Sequence, residues 1–96
     1  MDLSPGMVHG RVVPSQSVSL SAFGRAIREL RQAQGISQEE LGYRSGLDRT
    51  YVGGIERGER NPTLWSMLRL AGGLEVPVSL AVERFERLLE EAEEDA

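Results

Sequence analysis

The stretch that decides the fold is "ISQEELGYRSGLDRTYVGGIERG", residues 36–58. Ser37 stands where a helix N-cap belongs, and Glu40 follows three positions on, the spacing of a capping box. Ile36 before the cap and Leu41 four residues after it have the spacing of a hydrophobic staple. Gly46 stops this helix after two turns, because glycine tolerates the positive φ that a tight turn needs. The pattern then repeats. Asp48 is a second N-cap, Leu47 and Val52 bracket it, and Gly58 ends the helix that it opens. Two short helices around a glycine turn form a helix-turn-helix, in which the second helix enters the major groove of DNA. Gly42 is small enough for the two helices to pack closely, and Leu41, Leu47, Val52 and Ile55 are the expected buried pins.

Working outward, a first helix is predicted over about Ala22–Gln34, where Phe23, Ala26, Ile27, Leu30 and Ala33 form one apolar stripe and Gly35 is the stop. After "NPT" (61–63), Thr63 caps a fourth helix carrying Leu64, Met67, Leu68 and Ala71, which ends before Gly72–Gly73. Beyond Pro77, Ser79 opens a fifth helix over about Leu80–Glu94. Its residues Val82, Phe85, Leu89 and Ala92 step by three, four and three, the seam of a partner helix. This stripe is a candidate dimer interface; equally, it can fold back on the first and fourth helices. Residues 1–20, with Pro5, Gly6, Gly10, Pro14 and several serines, read as an N-terminal arm holding a short extended piece at Met7–Val13. The expectation is an all-α domain over residues 21–78 with an acidic C-terminal helix over 79–96.

The totals set the class. Ninety-six residues, 40% of them apolar, allow one small core. There is no cysteine, so disulfides and thiolate metal sites are excluded. No apolar run is long enough to span a membrane, and neither a signal peptide nor a small-molecule site is evident, so a cytoplasmic protein is expected. The net charge of −4 alone argues against nucleic acid, but its distribution does not. Residues 22–70 carry eight arginines against six carboxylates, whereas residues 75–96 carry two against eight. His9 is the only histidine, so no catalytic triad or histidine metal cluster is available. No catalytic residue, metal or cofactor is expected.

Gly53 and Gly54 look like defects in the second helix of the motif, each costing about 1 kcal/mol relative to alanine. At about 100° per residue, Arg49, Thr50, Gly53, Gly54 and Arg57 share one face, while Tyr51, Val52 and Ile55 lie on the other, with Glu56 beside Val52. Arg49 and Thr50 open the helix, where side chains reach base edges, and Arg49 suits the O6 and N7 of guanine. The glycines remove side chains where a duplex comes nearest. These four are the candidate base contacts. Gln38, Arg44, Tyr51, Arg57, Arg60 and Asn61 are the candidate phosphate contacts.

Residues 23–76 resemble the Cro/repressor family of helix-turn-helix regulators, through "AIRELRQAQGISQEELGYRSGLDRTYVGGIERGERNPTL" and "LRLAGGLEVPVSL". Within that family, "GLDRTYVGGIERGERN" followed by an acidic final helix is most similar to restriction–modification controller proteins. The resemblance implies a five-helix lambda-repressor-like domain, a phosphate contact at Gln38, and an ion pair between Arg31 and Glu56. It also implies a homodimer that binds double-stranded DNA at a pseudo-palindromic operator and regulates transcription. An antitoxin, a phage-type repressor, or a protein-interaction module without DNA binding are the alternatives.

Overall fold

The computed structural model describes residues 7–8 and 11–94. Its helices are α1 (Gln16–Ala33), α2 (Gln38–Ser45), α3 (Arg49–Glu56), α4 (Leu64–Gly73) and α5 (Val78–Glu94). Two short strands, β1 (Met7–Val8) and β2 (Arg11–Val12), precede them and pair antiparallel, Met7 with Val12 and Val8 with Arg11. The fold is otherwise all-α.

The local signals act where the sequence places them. Ser37 Oγ accepts from the Glu40 N–H at 3.0 Å, and Asp48 Oδ1 accepts from the Thr50 N–H at 2.7 Å. The Thr50 N–H also holds the Asp48 carboxyl below its usual range. Thr63 Oγ1 accepts from the Ser66 N–H at 3.0 Å to open α4. Gly46 takes φ 68°, letting the Leu47 N–H reach the Gly42 carbonyl at 2.9 Å and turning the chain from α2 into α3. One half of the predicted capping box is missing. The Glu40 carboxylate bonds to Arg44 one turn on, at 3.0 Å.

The largest departure lies at the N-terminus. Residues 16–20, read as part of an arm, are helical, so α1 begins six residues before Ala22. Ser15 is the cap, with its Oγ accepting from the Val18 N–H at 3.2 Å. Serine composition reads as a linker, but serine is only mildly unfavourable in a helix and the Ser15 cap opens one here. Further along, α1 packs on α5. Ala22 and Ala26 bury against Leu88, with Phe85 and Leu89 alongside. The rest of the expected arm, residues 1–6 and 9–10 with His9, lies outside the described residues. A smaller difference concerns α4, which runs through Gly72 and Gly73 because Gly73 packs directly on Ser45 of α2.

The core joins all five helices. Phe23, Ile27 and Leu30 of α1 meet Leu41, Val52, Ile55, Leu70, Leu74 and Ala81. Ile27, Leu41, Ile55, Leu70, Leu74 and Val52 are the largest fully buried side chains. Each contributes roughly 1.5–3 kcal/mol of burial free energy, far more than the cost of a glycine in α3. Leu47, the fourth expected pin, is half-buried at the edge of this cluster. Phe23 and Phe85 meet edge-to-face, with centroids 5.8 Å apart, and lock α5 across α1.

Two glycines set the helix spacings around the motif. A Cβ on Gly42 would lie 2.7 Å from the Leu47 carbonyl oxygen, so only glycine lets the α2–α3 turn close against α2. A Cβ on Gly24 would strike the Ile55 carbonyl and lie 2.7 Å from that of Glu56, so glycine is what lets α1 touch the backbone of α3. Backbone atoms cannot step aside as a side-chain tip can. Gly24→Ala should therefore destabilise the domain by about 2 kcal/mol, read as a lower urea midpoint with unchanged slope. A midpoint equal to the wild type would show that α1 and α3 can separate without loss.

Candidate nucleic-acid interface

The candidate interface rests on a buried polar joint. Arg31 of α1 clasps Glu56 at the end of α3 with both arms of its guanidinium, Nε to Oε2 at 2.7 Å and Nη2 to Oε1 at 2.9 Å. The Glu56 side chain is 2% exposed and that of Arg31 12%. A buried carboxylate is tolerable only when its acceptor sites are filled. Here Gln38 Nε2 supplies a third bond to Oε1 at 3.0 Å, and Arg31 Nη1 donates onward to the Ile36 carbonyl at 2.8 Å. The Glu56 hydrogen bond raises the Arg31 pKa above its ordinary value. One charge pair thus ties α1, the α1–α2 turn, the first residue of α2 and the last of α3.

On this joint α3 turns Val52 and Ile55 inward and leaves Arg49 and Thr50 exposed at its N-terminus. Arg49 stands beside α2, where its Nη1 donates to Glu39 Oε2 at 3.0 Å. Arg57, exposed at the other end, pairs with Glu59 at 3.1 Å. Arg44 pairs with Glu40 along α2. Carboxylates from Glu39, Glu40 and Glu59 therefore hold three of the candidate arginines. Spacing alone reveals the Arg44–Glu40 pair, since the residues are four apart in one helix. The Arg49–Glu39 pair crosses the turn and has no such signature.

Gly53 and Gly54 differ from the sequence expectation. They are buried, and the space beside them is filled by this chain. A Cβ on Gly53 would lie 2.9 Å from Arg57 Nη1 and 3.2 Å from Gln38 Oε1, and one on Gly54 would lie 2.6 Å from Arg60 Cγ. The glycines seat Arg57, Arg60 and Gln38 across the face of α3, and this face is not bare backbone. Helical periodicity identifies the face but cannot show that residues 57 and 60 fold back over it.

Tyr51 and Asn61 stand apart from this group. The Tyr51 hydroxyl shares a 3.1 Å hydrogen bond with Ser66 Oγ, which also accepts from Thr63 Oγ1 at 3.0 Å. Tyr51 thereby anchors α3 to the start of α4. Asn61 is exposed in the α3–α4 loop beside Leu20, Phe23, Met67 and Phe85. On α5, Phe85 and Leu89 are half-buried against α1, Val82 is half-buried, and Ala92 is exposed. Much of the predicted dimer stripe is thus used within the chain. Three large apolar side chains of α4 remain outside, Leu64 at 71%, Trp65 at 62% and Leu68 at 44% exposure. Arg69 lies 4.8 Å from the Trp65 ring. Among the described residues, no group of three or more His, Asp or Glu could hold a metal ion, and no helix is long and apolar enough to cross a membrane.

The joint makes a prediction. Glu56→Gln keeps the shape but replaces a charge-assisted clasp with a neutral one beside the buried Arg31. Stability should fall by about 2–3 kcal/mol. The melting temperature checks this, and an unchanged value would exclude a structural role for the pair.

A helix-turn-helix family model matches residues 27–80, more than half of the chain. The control protein C.SmaI of Serratia marcescens is 43% identical over 58 residues, which cover 60% of this chain and 69% of that protein. The restriction–modification controller C.AhdI of Aeromonas hydrophila is 52% identical, with a TM-score of 0.64 over 65% of this chain and 94% of its own. The controller C.Esp1396I, solved as a tetramer on its natural 35-base-pair operator, is 40% identical, with a TM-score of 0.72 over 76% and 96% of the two chains. With α2 and α3 joined through Gly46 within the matched region, the chain belongs to the helix-turn-helix family.

Proposed function

We propose that the protein is a sequence-specific transcriptional regulator that binds a pseudo-palindromic operator as a homodimer and controls a restriction–modification operon that includes its own gene. The observation that carries this reading is the exposed Arg49–Thr50 pair at the N-terminus of an otherwise pinned α3. Arg49 reads guanine, and Thr50 meets a thymine methyl or a phosphate. Gln38, Arg44, Arg57 and Arg60 meet the backbone and fix register. Gly53 and Gly54 assist by seating those side chains. Tyr51 acts through its anchor on Ser66, and Asn61 is a peripheral backbone contact. The likeness to C.Esp1396I, solved on its operator, supports the same assignment. No catalytic step enters this function, and its place of action is the cytoplasm.

One subunit covers one half-site. One recognition helix reaches only a few base pairs, whereas half-sites lie about 34–36 Å apart. A second copy is therefore needed. Since α5 spends Phe85 and Leu89 on α1, the dimer contact draws on Leu64, Trp65 and Leu68 of α4 together with Val82 and Ala92. α4 is also the one helix of the five with no carboxylate, which suits self-association of a chain with net negative charge.

Footprinting on random-selected DNA should show two symmetric half-sites about one helical turn apart. Arg49→Ala should relax selection at one position per half-site, at a cost of about 1–3 kcal/mol. Uniform weakening over all sequences would make Arg49 a phosphate contact, and the absence of any selected site would remove the regulator reading. For the dimer, Leu68→Glu should give monomers in sedimentation with helix content unchanged. A persistent dimer would place the contact away from α4.

A further inference from the structure

Glu39 and Arg49 are ten residues apart, on the first turns of α2 and α3, and meet at 3.0 Å. Both side chains are open to solvent, Arg49 at 70% and Glu39 at 73% exposure. The contact uses a single corner of the guanidinium, Nη1. A negative side chain beside a surface that is to meet phosphates is costly unless it does something there. Both Glu39 and its neighbour Glu40 suit the first turn of α2, where the helix dipole favours an acid, but Glu40 pairs with Arg44 of its own helix, whereas Glu39 pairs with Arg49 across the turn.

We propose that Glu39 is a specificity-determining residue that withholds Arg49 from arbitrary phosphates and aims it at a guanine. This inference rests on the reading of the α3 face as a DNA interface. The mechanism is an exchange of equivalents. A phosphate oxygen offers Arg49 a charge-assisted hydrogen bond of the kind that Glu39 already gives. Moving Arg49 from carboxylate to phosphate therefore gains little, and it leaves Glu39 unpaired beside the DNA backbone. Guanine differs in charge: a phosphate also offers two oxygens to the planar fork, but it is an anion that Glu39 repels, whereas the O6 and N7 edge of guanine is neutral. With Nη1 held by Glu39, the Nε–Nη2 edge stays free for that bidentate contact. The pair thus lowers the contribution of Arg49 to non-specific binding while preserving its base readout.

Binding of the selected operator and of a random duplex, each followed against salt concentration, tests this in the full-length chain. Glu39→Gln should tighten random-duplex binding, with a salt slope steeper by about one per subunit. The operator-to-random ratio should fall about fivefold per subunit, the upper range for an exposed ion pair. In an Arg49→Ala background the same change should alter both duplexes equally, because no arginine remains to be released. Glu40→Gln, which removes an equal charge from the same turn, should also alter both equally. Equal effects of Glu39→Gln on both duplexes with Arg49 intact would overturn the proposal and leave Glu39 a mere local charge. A wild-type chain that selects an operator, combined with that result, removes this proposal alone. A wild-type chain that selects no sequence removes the parent reading as well.

Discussion

The clasp between Arg31 and Glu56 is the interaction on which the rest of the molecule depends. Apolar contacts through Val52 and Ile55 hold α3 in the core, but such contacts are non-directional. A bidentate ion pair fixes direction as well as distance. With Oε1 and Oε2 both engaged and Gln38 adding a third bond, the end of α3 and the start of α2 share one buried anchor. A buried pair of this kind is weak evidence for net stability, since desolvation opposes the attraction. Its consequence is orientation. It determines which way Arg49 and Thr50 project from the opposite end of α3.

From that anchor the proposed interface assembles in layers. Gly24 brings α1 onto the α3 backbone, and Gly42 brings the α2–α3 turn onto α2. Gly53 and Gly54 open room for Gln38, Arg57 and Arg60 to lie across α3. The two glycines that lower intrinsic helix propensity thus have an intramolecular role. Long side chains occupy the space that alanine would crowd, and the burial of Val52 and Ile55 more than offsets the propensity cost. The arginine-rich surface is in turn restrained by its own carboxylates, so its charge is less available than a count of arginines implies.

The elements and their order are legible in the sequence, because the signals are local. Ser37, Asp48 and Thr63 cap helices within three residues of themselves, and Gly46 turns the chain on its own φ. The start of α1 is not legible. Gln16–Ser21 is largely exposed and adds little to the apolar stripe, so the periodicity that marks the helix from Ala22 onward does not mark its start at the Ser15 cap. The role of α5 is undecided in sequence for a related reason. The stripe of Val82, Phe85, Leu89 and Ala92 records an apolar face but not its partner, and α1 takes much of it.

By itself, then, the sequence determined the five helices, the glycine turn between α2 and α3, and the face of α3 that carries Arg49, Thr50 and the two glycines. Caps, turns and periodicity act over a few residues and are written in consecutive positions. Only the tertiary structure decided what fills the space over Gly53 and Gly54, which carboxylates hold the arginines, and that Leu64, Trp65 and Leu68 of α4 stay exposed. Those outcomes depend on where side chains distant in sequence converge, and long flexible arginines can reach several partners at similar cost. Packing of the helices around Arg31 and Glu56 makes the selection.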